Sequence, residues 1–314
     1  MVLPPHLAVK NSADVPLDRL VQFIRIYEEA VTGTAWCTRE DVLLETDHPG
    51  YDPRCSSWCL THPPGDVAAR AALTVRGGPS LDCTLTVLPG EDDEIMARAL
   101  LTRLMDRAAV LSRKWVETTE VTVGGVLIGD PVVPRVLEEM GFRRRVTYVQ
   151  SEIDLFRAPL PPDLPAGALV RRIGIDPDDV RALHTIHGLT RTRGARTLGY
   201  EMFRARLAQF DVTTERGGGV SLLMEMAGRP VGHVLAQAGG RKGRIVDMTV
   251  APASRGLGIG LALIAIALGE LRDLGCDRAV LALDASRLRN QRGLHRLLAV
   301  TAERAVTQYV RSSP

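Results

Sequence analysis

The stretch Arg244-Ile-Val-Asp-Met-Thr-Val-Ala-Pro-Ala-Ser-Arg-Gly-Leu-Gly-Ile-Gly260 continues through an unbroken apolar run, Leu261 to Leu268, and ends near Arg272. Ile245 to Val250 is apolar and β-branched enough to predict a strand, and the run after the Pro252 break predicts a buried helix. Between them lies Arg255-Gly-Leu-Gly-Ile-Gly260. Glycines at a strand-to-helix turn let the backbone approach a ligand closely. The helix start adds unpaired N–H groups and the positive end of its dipole. This is the chemistry of a pyrophosphate cradle.

Spacing narrows the choice of cradle. A Walker loop needs a Lys-Ser/Thr pair after its last glycine, and no lysine follows here. A dinucleotide fingerprint needs Gly-x-Gly-x-x-Gly, whereas these glycines stand at 256, 258 and 260.

Composition limits the rest. At 314 residues, 45% hydrophobic and 24% charged, the chain has room for two globular domains with ample core. It shows no N-terminal signal pattern, and its apolar runs are too short to span a bilayer, so a soluble, cytoplasmic protein is expected. Cys37, Cys55, Cys59, Cys83 and Cys276 are an odd, scattered set, which predicts reduced thiols. Grouping His48, Cys55, Cys59 and His62 as a zinc site matches no standard ligand spacing, so no metal is expected.

The net charge of +2 hides an asymmetry: residues 1–157 carry 17 Lys+Arg against 23 Asp+Glu, and the remainder 22 against 14. The basic half contains the glycine loop, which suits a polyanionic ligand. Nucleic acid is not the expected partner, because no Lys/Arg run is interleaved with aromatics, which are only 4% of the chain.

Along the chain, residues 1–17 read as a loose leader, followed by helices over Leu17–Ala30 and Thr38–Leu44. A hairpin, Ser57–Thr61 and Val67–Val75, leads to the strand Leu81–Leu88 and a helix, Ile95–Val110. The strand Thr119–Leu127, helix Pro131–Met140 and strand Val146–Leu155 close this half. Prolines at 159, 161, 162 and 165 mark a stiff linker. Two domains are therefore expected, 1–157 and 158–314.

The second half repeats the order. It has strand Ala168–Ile173, a helix capped at Asp176 that reaches His187, and a helix Leu198–Gln209 beyond the basic loop Arg191, Arg193, Arg196. The hairpin Ser221–Met226 and Val231–Ala238 precedes the central strand, loop and helix. Strand Ala279–Leu283, helix Leu288–Leu298 and a strand ending at Tyr309-Val310 follow. Leu85-Thr-Val-Leu-Pro89 aligns with Met248-Thr-Val-Ala-Pro252 at an offset of 163. The chain reads as an internal duplication. Where the later copy has its glycines, the earlier has Glu91-Asp-Asp-Glu-Ile95. Those carboxylates suit a helix start but repel a pyrophosphate, so the first domain is expected to have lost the site.

Arg255-x-x-Gly258-x-Gly260 after a strand ending in Val-x-Pro resembles the acyl-CoA loop of the GCN5-related N-acetyltransferases (GNAT), and the element order agrees over nearly all of residues 168–310. The resemblance implies an α+β fold of two tandem GNAT domains, each a mostly antiparallel sheet flanked by helices. The tandem layout and length are similar to those of the mycothiol synthase family. It also implies acyl transfer from acetyl-CoA to the amine of a small-molecule acceptor. Arg255, Gly256, Leu257, Gly258, Ile259 and Gly260 would hold the pyrophosphate. Met248, Thr249 and Val250 would lie along the pantetheine where the central strands splay.

Asn290 stands where the family often contacts CoA, and it reads equally as a helix cap. Asp247 interrupts an apolar strand at a position resembling the acidic base of some family members; the alternative is an ion pair with Arg244 or another cation. His184 and His187 share a helical turn, either facing an acceptor or simply packed. Where the family commonly places a tyrosine acid, this chain has Leu297. Tyr309 is a distant substitute, and the acid stays unassigned. The missing tyrosine keeps open a non-catalytic acyl-CoA-binding regulatory or scaffolding protein.

Overall fold

The computed structural model describes residues 3–48, 50–75, 80–116, 118–158, 163–174, 176–190, 199–208, 218–286 and 298–312. In order they form β1 (Ala8–Asn11), α1 (Leu17–Thr32), α2 (Arg39–Thr46), β2 (Ser57–His62), β3 (Asp66–Val75), β4 (Ser80–Val87) and α3 (Asp93–Ser112). Then come β5 (Glu120–Leu127), α4 (Val133–Glu139), β6 (Arg143–Asp154), β7 (Ala168–Arg172), α5 (Pro177–Thr190) and α6 (Tyr200–Ala208). The chain ends with β8 (Gly219–Met226), β9 (Arg229–Gly239), β10 (Lys242–Val250), α7 (Ile259–Asp273), β11 (Arg278–Asp284) and β12 (Val300–Ser312). The mixed α and β content, with largely antiparallel strands, is the expected fold class.

Two compact units result. One is Met1–Val149 with Arg304–Pro314, the other Gln150–Glu303. In the first, strands run β1-β2-β3-β4-β5-β12-β6; β1 through β4 pair antiparallel, β4 pairs parallel with β5, and β5 pairs antiparallel with β12. Helix α3 covers the sheet with Leu100, Leu101 and Leu104 against Leu73, Leu81 and Val121, all fully buried. Burying side chains of that size stabilises the unit by about 1.5–3 kcal/mol each.

Two sequence expectations change in this unit. The leader is not wholly loose: Ala8–Asn11 pairs with β2, from Ala8 opposite Thr61 to Asn11 opposite Trp58. Four residues on an edge, with largely exposed side chains, show no alternation for a sequence to reveal. The terminal strand, expected in the later copy, has its last part in the first unit. There Val306 opposes Leu127 and Val310 opposes Thr122, and Tyr309 is buried beside Leu100 and Val123 in one core.

In the second unit, β11-β10-β9-β8-β7 follow the end of β6. Both faces of β8 and β9 are covered, which is why their sequences run nearly unbroken apolar. Leu222, Met224, Val234 and Ala236 face α7. Leu223 and Leu235 face α5 and α6, packing with Val180, Leu183 and Phe203.

The copies share one plan. β4 is antiparallel to β3 and parallel to β5 over four positions, Ser80 to Cys83. β10 is antiparallel to β9 and parallel to β11 over four positions, Lys242 to Ile245. Beyond Ile245 the parallel ladder stops, while Asp247–Val250 stays paired with β9. The central strands therefore part as expected, alongside Met248, Thr249 and Val250.

Candidate functional site

The ladder between β10 and β9 slips once: Ile245 opposes Ala236 and Asp247 opposes Leu235, which leaves Val246 as an extra residue. Such a bulge turns two consecutive side chains to one face. Ile245, Met248 and Val250 pack toward α7, whereas Val246 joins the α5/α6 core. Asp247 lies on that second face too, its Oδ2 3.7 Å from Nδ1 of His187 on α5 and 3.9 Å from Nε2 of His233 on β9. Strict alternation would have aimed Asp247 at α7.

The three side chains differ in access. Asp247 is 18% exposed and His187 12%, while His233 is wholly buried. Neither ring nitrogen of His233 has a hydrogen-bond partner among the described residues. The His187 ring lies 5.3 Å from that of Phe203, and His184 meets Phe203 and Tyr200 edge-on. Of the two histidines singled out in the sequence, His187 belongs with the carboxylate and His184 with the aromatics. His233 was missed. The signal for it was a polar ring in the otherwise apolar run Val231 to Ala236.

Past Val250 the chain makes a 3-10 turn, Pro252–Ser254, and enters α7 through two left-handed residues, Gly256 at φ 82° and Gly258 at φ 78°. A side chain at either position is disfavoured by the backbone alone. Among the described residues, the amides of Ser254, Arg255 and Ala262 donate to backbone carbonyls, but those from Gly256 to Leu261 do not. They stand at the positive end of a fifteen-residue helix, with Arg255 exposed beside them. A row of unpaired N–H groups with a cation is a fitting receptor for a pyrophosphate. Gly260 approaches Val250 and Met248, so a Cβ there would sit 3.6 Å from Val250 Cγ2.

The earlier copy carries paired carboxylates at the start of its own helix, α3. The Gly90 amide donates to Asp93 Oδ2, Asp92 takes His6, and Glu94 binds Arg98 and Arg135. Hydrogen bonds from Arg98 hold the Glu94 carboxyl below its ordinary range.

Some expected residues lie outside the described part: Asn290, Leu297, Arg191, Arg193 and Arg196. Tyr309 is corrected as a candidate acid, because it is fully buried in the first unit's core. Cys55 is exposed and Cys59 is buried on β2, 3.5 Å from Ser12 Oγ. Among the described residues, no helix is long and apolar enough to cross a membrane.

The fold and the loop define a class, the acyl-CoA N-acyltransferase fold in tandem. The model of the acetyltransferase (GNAT) family matches residues 183–298. No curated protein matches the sequence. A GCN5-related N-acetyltransferase from Sphaerobacter thermophilus is similar over 100% of this chain and 98% of its own, with 20% identity and a TM-score of 0.80. A tandem GNAT protein from the clavulanic acid biosynthesis pathway gives 18% identity and a TM-score of 0.63 over 98% and 99% of the two chains. Saccharomyces cerevisiae N-myristoyltransferase, solved with myristoyl-CoA, gives 12% and 0.58 over 99% and 83%. Residues 183–298 thus match the GNAT family model, and the whole chain has the tandem GNAT fold. Acyl transfer is the chemistry that this family indicates.

Proposed function

We propose that the chain is an acyltransferase that moves an acetyl or other acyl group from acetyl-CoA, or a related acyl-CoA, to a primary amine of a small-molecule acceptor. The second unit binds the donor and the first does not. The observation that carries this reading is the row of amides from Gly256 to Leu261 at the start of α7, which donate to no backbone carbonyl among the described residues. Arg255, Gly256, Leu257, Gly258, Ile259 and Gly260 would hold the pyrophosphate. Met248, Thr249 and Val250 would lie beside the pantetheine, with Asn290 a further contact. The donor supplies an acyl thioester, whose thiolate leaves readily because its conjugate thiol has a pKa near about 8.5.

Freeing an alkylammonium of its proton at pH 7 costs about 4–5 kcal/mol, given a reference pKa near about 10.4. Asp247, displayed by the bulge, is the carboxylate placed to assist. The cytoplasm is the proposed compartment, consistent with five free cysteines. Calorimetry with coenzyme A tests the cradle, and thiol release from acetyl-CoA across a panel of amines tests the reaction. One CoA per chain with amine-dependent release is expected. A stoichiometry of two would overturn this reading of the first copy.

A second reading, a non-catalytic acyl-CoA-binding regulatory or scaffolding protein, is favoured by Leu297 in the place of a tyrosine and by the burial of Tyr309. Tight CoA binding with no turnover on any amine, and no effect of Asp247→Asn, would select it.

A further inference from the structure

The carboxylate at the bulge does not stand alone. Asp247 Oδ2 lies 3.7 Å from one imidazole, His187, and 3.9 Å from another, His233. A carboxylate of ordinary basicity is a poor match for an ammonium proton, with reference values of about 3.9 and 10.4. An imidazole, near about 6.5, is closer to the operating pH and is the better general base, while a carboxylate behind it stabilises the imidazolium. His187 reaches the surface of the site, and His233 is sealed beneath, its ring nitrogens without a hydrogen bond among the described residues.

On the acyl-transfer reading above, we propose that His187 is the proton acceptor for the amine, Asp247 holds the resulting imidazolium, and His233 is a positioning residue that fixes Asp247 from the buried side. The ammonium gives one proton to His187, which passes it to solvent. The freed nitrogen lone pair forms the C–N bond at the thioester carbonyl, and the C–S bond breaks. The nitrogen's second proton ends on the departing thiolate.

Nucleophiles of different basicity separate this proposal from the reading beneath it. An alkylamine arrives protonated at pH 7, whereas methoxyamine is already neutral there and needs little help from a base. With acetyl-CoA as donor, His187→Ala is expected to lower kcat for the alkylamine about hundredfold. It should lower the methoxyamine rate less than threefold and leave acetyl-CoA binding by calorimetry unchanged.

His233→Leu should lower the alkylamine kcat about tenfold with KM unchanged. His233→Gln, which keeps a nitrogen donor near the Nε2 position, should restore at least half. In histidine NMR, Asp247→Asn should shift the ring signals of both His187 and His233. Unmoved ring signals, or equal losses for the two nucleophiles in His187→Ala, would overturn the proposal and leave acyl transfer standing. A wild-type chain that neither binds acetyl-CoA nor acylates either nucleophile would overturn both.

Discussion

Arg70 on β3 and His233 on β9 are the same position of the two copies: Arg70 opposes Thr86, and His233 opposes Thr249, 163 residues later. Both side chains are buried, but their surroundings differ. Arg70 donates to both oxygens of Glu45, at 2.9 and 3.1 Å, and Thr84, the counterpart of Asp247, donates to the same carboxylate at 3.2 Å. That cluster pairs the buried charge with a carboxylate. The later copy keeps a carboxylate between imidazoles, two of the three side chains reaching the surface.

Removing the partner of a buried guanidinium leaves its charge uncompensated. Glu45→Ala is expected to destabilise the first unit by about 3–5 kcal/mol. The double variant Arg70→Met with Glu45→Leu should cost less than Glu45→Ala alone. Urea unfolding followed by the fluorescence of Trp36 and Trp58, both in this unit, measures it. Equal losses in the two variants would remove the ion-pair account.

Gly258 holds φ 78° at the start of α7, a conformation that costs a β-branched residue roughly 1–2 kcal/mol. Gly258→Val should weaken coenzyme A binding at least tenfold by calorimetry. A control change near the start of α3 in the earlier copy, Gly90→Val, should leave that affinity within twofold.

Of the five thiols, Cys55 alone is exposed. Burial pushes the Cys59 and Cys83 thiols up, so at pH 7–8 both are protonated as well as covered. Iodoacetamide and peptide mass mapping should find Cys55 modified in minutes, and Cys59 and Cys83 only after denaturation. Early modification of Cys83 would contradict the burial.

Asp277 caps the second unit's acid response. Hydrogen bonds from Arg241, at 2.8 and 2.9 Å, hold its carboxyl below the usual range. With the folded pKa depressed, the contribution is complete above the unfolded value of about 3.9. It is lost as pH falls through the folded value. Arg241 is largely exposed, so the effect is below about 1 kcal/mol. Asp277→Asn should melt slightly lower than wild type at pH 7, with the difference shrinking as pH falls below about 3.9.

The elements were largely legible because their side-chain patterns are local. The apolar run Leu261–Leu268 fixed α7, the shared Thr-Val-x-Pro motif exposed the duplication, and the alternate glycines announced the loop. Less was legible where a partner strand supplies the reason. β1 is too short to show a pattern, and the destination of β12 depends on which strand accepts its hydrogen bonds. His233 lay in plain view as a polar residue in an apolar strand, but what it faces is a matter of register.

By itself, then, the sequence determined the order of helices and strands, their repetition and the glycine turn, since propensity, hydrophobic period and backbone freedom act over a few neighbouring residues. Only the tertiary structure decided that Val246 is extra in its ladder. That single unpaired residue turns Asp247 away from α7 and toward two histidines, 60 and 14 positions earlier in the chain. A bulge is a mismatch between two strands, and neither strand carries it alone.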